Sequence, residues 1–165
     1  DLQQRMDDHP GSSFALVMID LDHFKDANDT YGHQFGDQVL LYMADSLRQS
    51  IRGSDIAVRV GGDEFLIFLE YKQGLEPIIQ RIFTSLCGQV EDFHISVSMG
   101  ISRATGADLC YEDLFHQADQ ALYRAKQSGR GQYFFYDDSM EATLSTVSPI
   151  ESNHKSGHSA KKKEG

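Results

Sequence analysis

From Phe14 to Ile19 the chain runs through Ala15, Leu16, Val17 and Met18 without a polar break, after a Pro10-Gly11-Ser12-Ser13 loop and just ahead of Asp20. A short continuous apolar run of this kind predicts a strand buried on both faces. The period then changes. From Phe24 to Ile51 apolar residues recur at helical spacing, notably Val39, Leu40, Met43 and Leu47, and Gly32 and Gly36 divide the stretch into a short and a longer helix. Ile56 to Val60 and Glu64 to Leu69 are strand-like runs joined by Gly61-Gly62-Asp63, residue types that tolerate the positive φ of a hairpin turn. A helix from Leu75 to Gln89, a strand from His94 to Ser102, a helix from Tyr111 to Gln127 and a strand from Gln132 to Tyr136 complete the order βααββαβαβ. Leu114, Ala118 and Leu122, with Tyr123 beside them, form a helical stripe that reads as core. The expected fold class is α+β: a mixed, mainly antiparallel sheet of about five strands flanked by helices, of ferredoxin-like or polymerase-palm type. The first strand and the hairpin are expected at its centre.

Periodicity stops near Tyr136. From Asp137 to Gly165 the chain is polar, rich in Ser and Lys, and expected to be disordered. That leaves residues 14–136 as the domain and residues 1–13 as the remnant of a helix and a loop. A chain of 165 residues can bury one good core, which argues for one domain. Its formal net charge of −10 speaks against a nucleic-acid polymer or an anionic membrane as partner, since both need a basic face. Any phosphate ligand would need cations close by. No apolar run approaches the roughly 20 residues that cross a bilayer, and Asp1-Leu2-Gln3-Gln4-Arg5 lacks the order of a secretory signal. A soluble, cytoplasmic domain is expected, whether or not its parent protein is membrane-anchored. Cys87 and Cys110 stand in no CxxC pattern and read as reduced structural thiols.

The chemistry concentrates at two places. Asp20 ends the buried strand, and Asp63 and Glu64 occupy the hairpin turn. Should the strand pair beside the hairpin, the three carboxylates converge at one sheet edge and suit a hard cation. Mg²⁺ is usually held by one or two carboxylates plus substrate phosphates, and paired metals stabilise both oxygens of an in-line displacement. Nucleotidyl transfer is the natural chemistry, while a merely solvated hairpin is the plainer reading of the same turn. His23 and His33 are assigned no ligand role, because Mg²⁺ prefers oxygen.

Gly61-Gly62-Asp63-Glu64-Phe65 resembles the signature of the GGDEF family of diguanylate cyclases. The resemblance continues through Asp20-Leu21-Asp22-His23-Phe24-Lys25, Asn28-Asp29, Tyr31-Gly32-His33 and Gly36-Asp37. It resumes at Ser96-Val97-Ser98-Met99-Gly100-Ile101 and from Ala118 to Lys126, in the family's order across nearly the whole fold. It implies a pair of Mg²⁺ or Mn²⁺ ions per active half-site, held by Asp20, the Leu21 carbonyl, Asp63 and Glu64, with Glu64 alternatively helping the attacking hydroxyl. It implies GTP as substrate, bound by Phe24, Lys25, Asn28, Asp37, Gly61, Gly62, Lys126 and Arg130. Of these, Lys25, Lys126 and Arg130 would take the triphosphate together with the helix N-terminus after Asp22. Asn28 and Asp37 would read guanine, whose N1–H and N2–H suit a carboxylate acceptor. The catalytic group implied is Asp63, Glu64 and Lys25. Two domains of a homodimer, each holding one GTP, would then release cyclic di-GMP and pyrophosphate. Arg52-Gly53-Ser54-Asp55 stands where the family has its RxxD product-inhibition site, with Arg81 as a candidate further arginine.

Two departures qualify the match. Family members usually carry an Asp-x-Leu-Thr-x-Leu-x-Asn-Arg stretch before the first strand, and this chain begins just after its place, so a covalently linked sensory or regulatory domain is expected in the parent protein. Gly131 stands where the family commonly has Asn, which is expected to loosen the turn presenting Arg130. Two other readings stay open. One is a catalytically silent GGDEF domain that binds cyclic di-GMP or GTP as a regulatory module. The other is a palm-type polymerase or a cyclase of different product, which the RxxD register and the five-residue signature disfavour.

Overall fold

The computed structural model describes residues 2–9, 11–105 and 110–141. Its elements are α1 (Leu2–Asp8), β1 (Ser13–Leu21), α2 (Phe24–Tyr31), α3 (His33–Ser50), β2 (Ile56–Gly61), β3 (Glu64–Tyr71), α4 (Leu75–Leu86), β4 (Gly88–Val90), β5 (Phe93–Ile95), β6 (Val97–Thr105), α5 (Tyr111–Gln127) and β7 (Tyr133–Phe135). Five strands form the main sheet in the order β2-β3-β1-β6-β7. Every pairing in it is antiparallel except β6 with β7. The fold is therefore α+β with a mixed sheet flanked by helices, as expected.

The unbroken apolar run of β1 has its reason in this order. Ala15, Val17, Ile19 and Leu21 point into one core, shared with Val39, Met43 and Leu47 of α3 and Ile79 and Ile82 of α4. Phe14, Leu16 and Met18 point into the other, against Met6 of α1 and Leu114, Ala118 and Leu122 of α5. Each of the larger side chains, the alanines aside, contributes about 1.5–3 kcal/mol by leaving water, so β1 is anchored from both sides and its end is a firm platform.

On β6, Gly100 sets the height of α5. A Cβ there would overlap Ala118 O and Leu122 N, so only glycine lets the helix backbone ride on the strand. Ser102 Oγ donates to Leu114 O at 2.6 Å and fixes the helix along its axis. The C-terminal turn of α5 consequently lies over the end of β1.

Three expectations change. The hairpin is not central: β1 has β3 and β6 as neighbours, and β2 is an edge strand whose Val58 and Val60 are exposed. The helix expected to reach Gln89 stops at Leu86, and the chain enters the β4–β5 hairpin, turning at Glu91 with φ +52°. At its start a Cβ on Gly88 would overlap the Tyr42 hydroxyl, which packs directly over the glycine. The polar stretch from Asp137 opens with an ordered 3₁₀ turn, Asp138–Met140, capped by Asp137 accepting from Ser139 N at 2.9 Å, with Met140 buried. The rest of the expected tail, 142–165, lies outside the described residues.

Candidate active site

Register places the carboxylates. Asp20 pairs with Glu64 of β3 on one side and Ser98 of β6 on the other, so Asp20 and Glu64 share a face of the sheet. Leu21 N donates to Asp63 O at 3.1 Å, which draws the hairpin turn against the end of β1. The turn bends through Gly62 at φ +23°, and Arg59 Nε donates to Gly62 O at 3.0 Å. The chain thus brings Asp20, Leu21, Asp63 and Glu64 to one edge.

Asp20 is 6% exposed, and Lys126 Nζ pairs with its Oδ2. Its Oδ1 is buried and has no partner. Burial pushes the carboxyl above its ordinary value, Lys126 pulls it back, and Asp63 alongside adds to the rise. A buried carboxylate oxygen left unbonded beside a second carboxylate is costly without a cation. Among the described residues no three His, Cys, Asp or Glu side chains converge on one point. The three carboxylates expected to converge, Asp20, Asp63 and Glu64, therefore share one edge of the sheet without meeting as a single cluster.

The residues expected to take phosphate lie near this edge. His23, at φ +58°, is the N-cap of α2 and makes no side-chain cap to the helix's first N–H groups. Phe24 is half-buried, and Lys25 is exposed and in no ion pair among the described residues. Lys126 is engaged with Asp20, and Arg130 lies in the α5–β7 turn with Nη1 3.9 Å from Asp22 Oδ1. Asn28 packs its amide on Gly36, where any Cβ would overlap Asn28 Oδ1. That oxygen, too, is buried without a partner. Asp37, next to Gly36, is exposed at the mouth of a cleft of about 460 Å³ lined by Leu40, Leu41, Ala44, Val58 and Phe65 among others.

Arg52 and Asp55 sit elsewhere. They close a turn in which Asp55 Oδ2 accepts from Arg52 N at 2.9 Å, at the opposite end of β2 from Gly61, about 20 Å away at the rise of a strand. Arg81 Nη2 donates to Ser50 O at 3.3 Å, beside this turn. A groove of about 580 Å³ there is lined by Arg52, Ser54, Glu70 and Lys72 among others. Arg5, which sequence reading passed over, donates to Ser54 O and lies 3.8 Å from Glu70. Asp22, in sequence only the start of a loop, accepts from Ser96, Ser98 and Gly131. A second aspartate after an apolar strand and two serines in alternation on another were the available signals.

Comparison with known proteins identifies the family and the fold. The family described as diguanylate cyclase, GGDEF domain, matches residues 1–132. The chain is 36% identical over 135 residues to MucR of Pseudomonas aeruginosa, a bifunctional diguanylate cyclase and cyclic di-GMP phosphodiesterase, covering 78% of this chain and 20% of MucR. It is 40% identical over 126 residues to the diguanylate cyclase DgcS of Shewanella oneidensis, covering 73% of this chain and 42% of DgcS. It thus spans less than half the length of these curated relatives. Among solved structures, the GGDEF domain of TpbB (YfiN) from P. aeruginosa superposes with a TM-score of 0.77 at 30% identity, over 87% of this chain and 90% of that one. The GGDEF domain of DgcB from Caulobacter crescentus, solved with c-di-GMP, superposes with a TM-score of 0.70 at 27% identity, over 81% and 87%. With the signature turn, the five-strand sheet and a family match over residues 1–132, the chain belongs to the GGDEF family of diguanylate cyclase domains.

Proposed function

We propose that this domain condenses two GTP molecules into cyclic di-GMP and two pyrophosphates, one GTP being held by each copy of a homodimer. The observation that carries the reading is Asp20: a buried carboxylate with Lys126 on one oxygen, nothing on the other, and Asp63 at its side. Asp20, the Leu21 carbonyl, Asp63 and Glu64 would hold Mg²⁺ or Mn²⁺, which when bound would supply Lewis-acid stabilisation of charge at the α-phosphate. Lys25, Lys126, Arg130 and the uncapped N–H groups of α2 orient the triphosphate and offset the charge of an acidic domain. Asn28 and Asp37 face guanine, with Phe24 beside the nucleotide. Each 3′-hydroxyl attacks the partner nucleotide's α-phosphorus, its proton passing toward Glu64 or solvent as the bond to pyrophosphate breaks. Positioning and charge stabilisation account for the acceleration.

Product binding at Arg52 and Asp55 would restrain turnover from the far end of β2, with Arg81 and Arg5 near enough to contribute. A linked sensory or regulatory domain in the parent protein would set how the two copies meet.

The test is incubation with GTP and Mg²⁺, with and without a fused dimerising coiled coil, and chromatographic detection of cyclic di-GMP. Cyclic dinucleotide that vanishes in Asp63→Ala supports the cyclase. No turnover even when dimerised, with cyclic di-GMP still bound, supports a regulatory module, and a linear or mononucleotide product supports a different transferase.

A further inference from the structure

Asp22 lies just past the metal-directed edge with only 3% of its surface exposed. Its Oδ1 accepts from Ser98 Oγ at 2.6 Å, and its Oδ2 accepts from Ser96 Oγ at 2.6 Å and from the Gly131 N–H at 2.9 Å. Arg130 Nη1 approaches Oδ1 at 3.9 Å. One side chain therefore ties the β1–α2 loop to the start of β6 and to the α5–β7 turn.

That turn is unusual in its backbone. Gly129, Arg130 and Gly131 follow one another at φ +110°, +62° and +59°. Positive φ at a residue with a side chain is unfavourable by the order of 1 kcal/mol and persists where surroundings enforce it. Arg130 N donates to Ala125 O at 3.0 Å, and the Gln132 side chain reaches Ser128 O and Arg130 O. Gly131 N–H to Asp22 ties the turn to the β1–α2 loop, beside the Arg130–Asp22 ion pair and just ahead of the Met99 N–H to Gln132 O bond that joins it to β6. A Cβ on Gly131 would lie 3.1 Å from Ser96 Oγ, so glycine leaves room for both donors on the same carboxylate oxygen. Where a looser turn was expected from Gly131, the structure has an anchored one.

We propose that Asp22 is a positioning residue for the phosphate end of the site: it anchors the 129–131 turn so that Arg130, with Lys126 four residues before it in the last turn of α5, faces the edge occupied by Asp20. The proposal rests on the reading that this edge takes GTP. Asp22 touches neither substrate nor metal in this role, because both of its oxygens are engaged with protein donors. Its spacing from Asp20 resembles a paired-carboxylate metal site, but its lone pairs are directed toward β6 and the turn.

Asp22→Asn keeps the shape and removes the charge and one acceptor. Calorimetric titration with a non-cleavable α,β-methylene GTP analogue and Mg²⁺ should show about tenfold weaker binding, the worth of a charge-assisted hydrogen bond. Guanosine affinity should be unchanged. In an Arg130→Ala background the same substitution should cost less than about twofold, the signature of two residues acting as one unit. Equal losses for both ligands, or an undiminished loss without Arg130, would overturn the proposal. Should Asp22→Asn not fold, Ser96→Ala removes a single donor and should show the same selective pattern at smaller size. Hydrogen exchange at the Gly131 amide decides the anchoring without any nucleotide. Faster exchange in Asp22→Asn or Ser96→Ala upholds it, and an unchanged rate overturns it. If the wild-type domain binds no GTP analogue, the functional reading fails, and the Gly131 amide still settles the role of Asp22.

Discussion

The end of β1 and the loop immediately behind it each bury an aspartate, and the two are treated in opposite ways. Asp20 keeps one oxygen with no partner, and burial raises its carboxyl above the ordinary value. Asp22 has both oxygens bonded by hydroxyl and backbone donors. A buried polar atom costs free energy unless it is paired, so the first region carries an instability that a ligand would relieve, whereas the second is complete without one. An unsatisfied and a satisfied carboxylate thus stand two residues apart.

Substitutions at the edge sharpen the contrast most. Asp63→Ala and Asp20→Asn should each lower cyclic di-GMP formation by about a thousandfold or more, since they remove charge from the reacting edge. Neither should lower the melting temperature. For Asp20 the sign follows from the shift. A carboxyl raised in the fold above 3.8 binds its proton more readily folded than unfolded, so its contribution to stability is greatest below that value and is lost as pH rises through the folded value. Asp20→Asn should therefore match wild type in acid and gain on it as pH is raised above 3.8, read by denaturant melts across that window. A variant that loses stability at neutral pH would show that Lys126 needs Asp20 more than burial penalises it.

Asp22→Ala should do the reverse, destabilising the domain by about 3 kcal/mol because Ser96, Ser98 and Gly131 lose their acceptor in a buried place. A chemical melt measures it. A loss under about 1 kcal/mol would mean that water replaces the carboxylate and that the contrast with Asp20 is weaker than the geometry suggests.

What was legible in the chain follows the same division. The run from Phe14 to Ile19 announced a doubly covered strand because both its cores lie on β1 itself, and the signature at Gly61 to Phe65 is contiguous. The edge position of β2 was hidden, since which strand pairs with which is decided by distant segments. The β4 and β5 strands are only three residues each, too short for any period to register. Asp22 finds its partners 74, 76 and 109 residues away, and Arg5 finds Ser54 at a separation of 49. Such contacts leave no local pattern.

A smaller effect is expected at Asn28, proposed to read guanine. Asn28 Oδ1 repeats the situation of Asp20, buried and unbonded, with Gly36 making room for it. Gly36→Ala should displace Asn28, costing about 1–3 kcal/mol of stability and narrowing the preference for GTP over ITP, which lacks the 2-amino group. Adding Asn28→Ala removes the clash, so the double variant should recover stability and not recognition. Recovery of both would show that Asn28 is packing rather than a reader of guanine.

The smallest change in the folded state belongs to Arg52, and it tests whether the comparison extends to the far end of β2. Asp55, like Asp22, spends an oxygen on a backbone N–H, that of Arg52, whereas the Arg52 guanidinium is exposed beside an open groove. Asp55→Ala should cost about 1 kcal/mol through the lost hydrogen bond, and Arg52→Ala less than about 0.5 kcal/mol, as for an ordinary surface position. Both should raise the concentration of cyclic di-GMP needed to slow turnover by about tenfold or more, since each removes a charged contact from the same ligand. The pair of measurements separates folding from binding at one turn. If Arg52→Ala is inhibited as strongly as wild type, the groove is not the inhibitory site, and Asp55 is then a residue of the Asp22 kind alone, present to hold a turn.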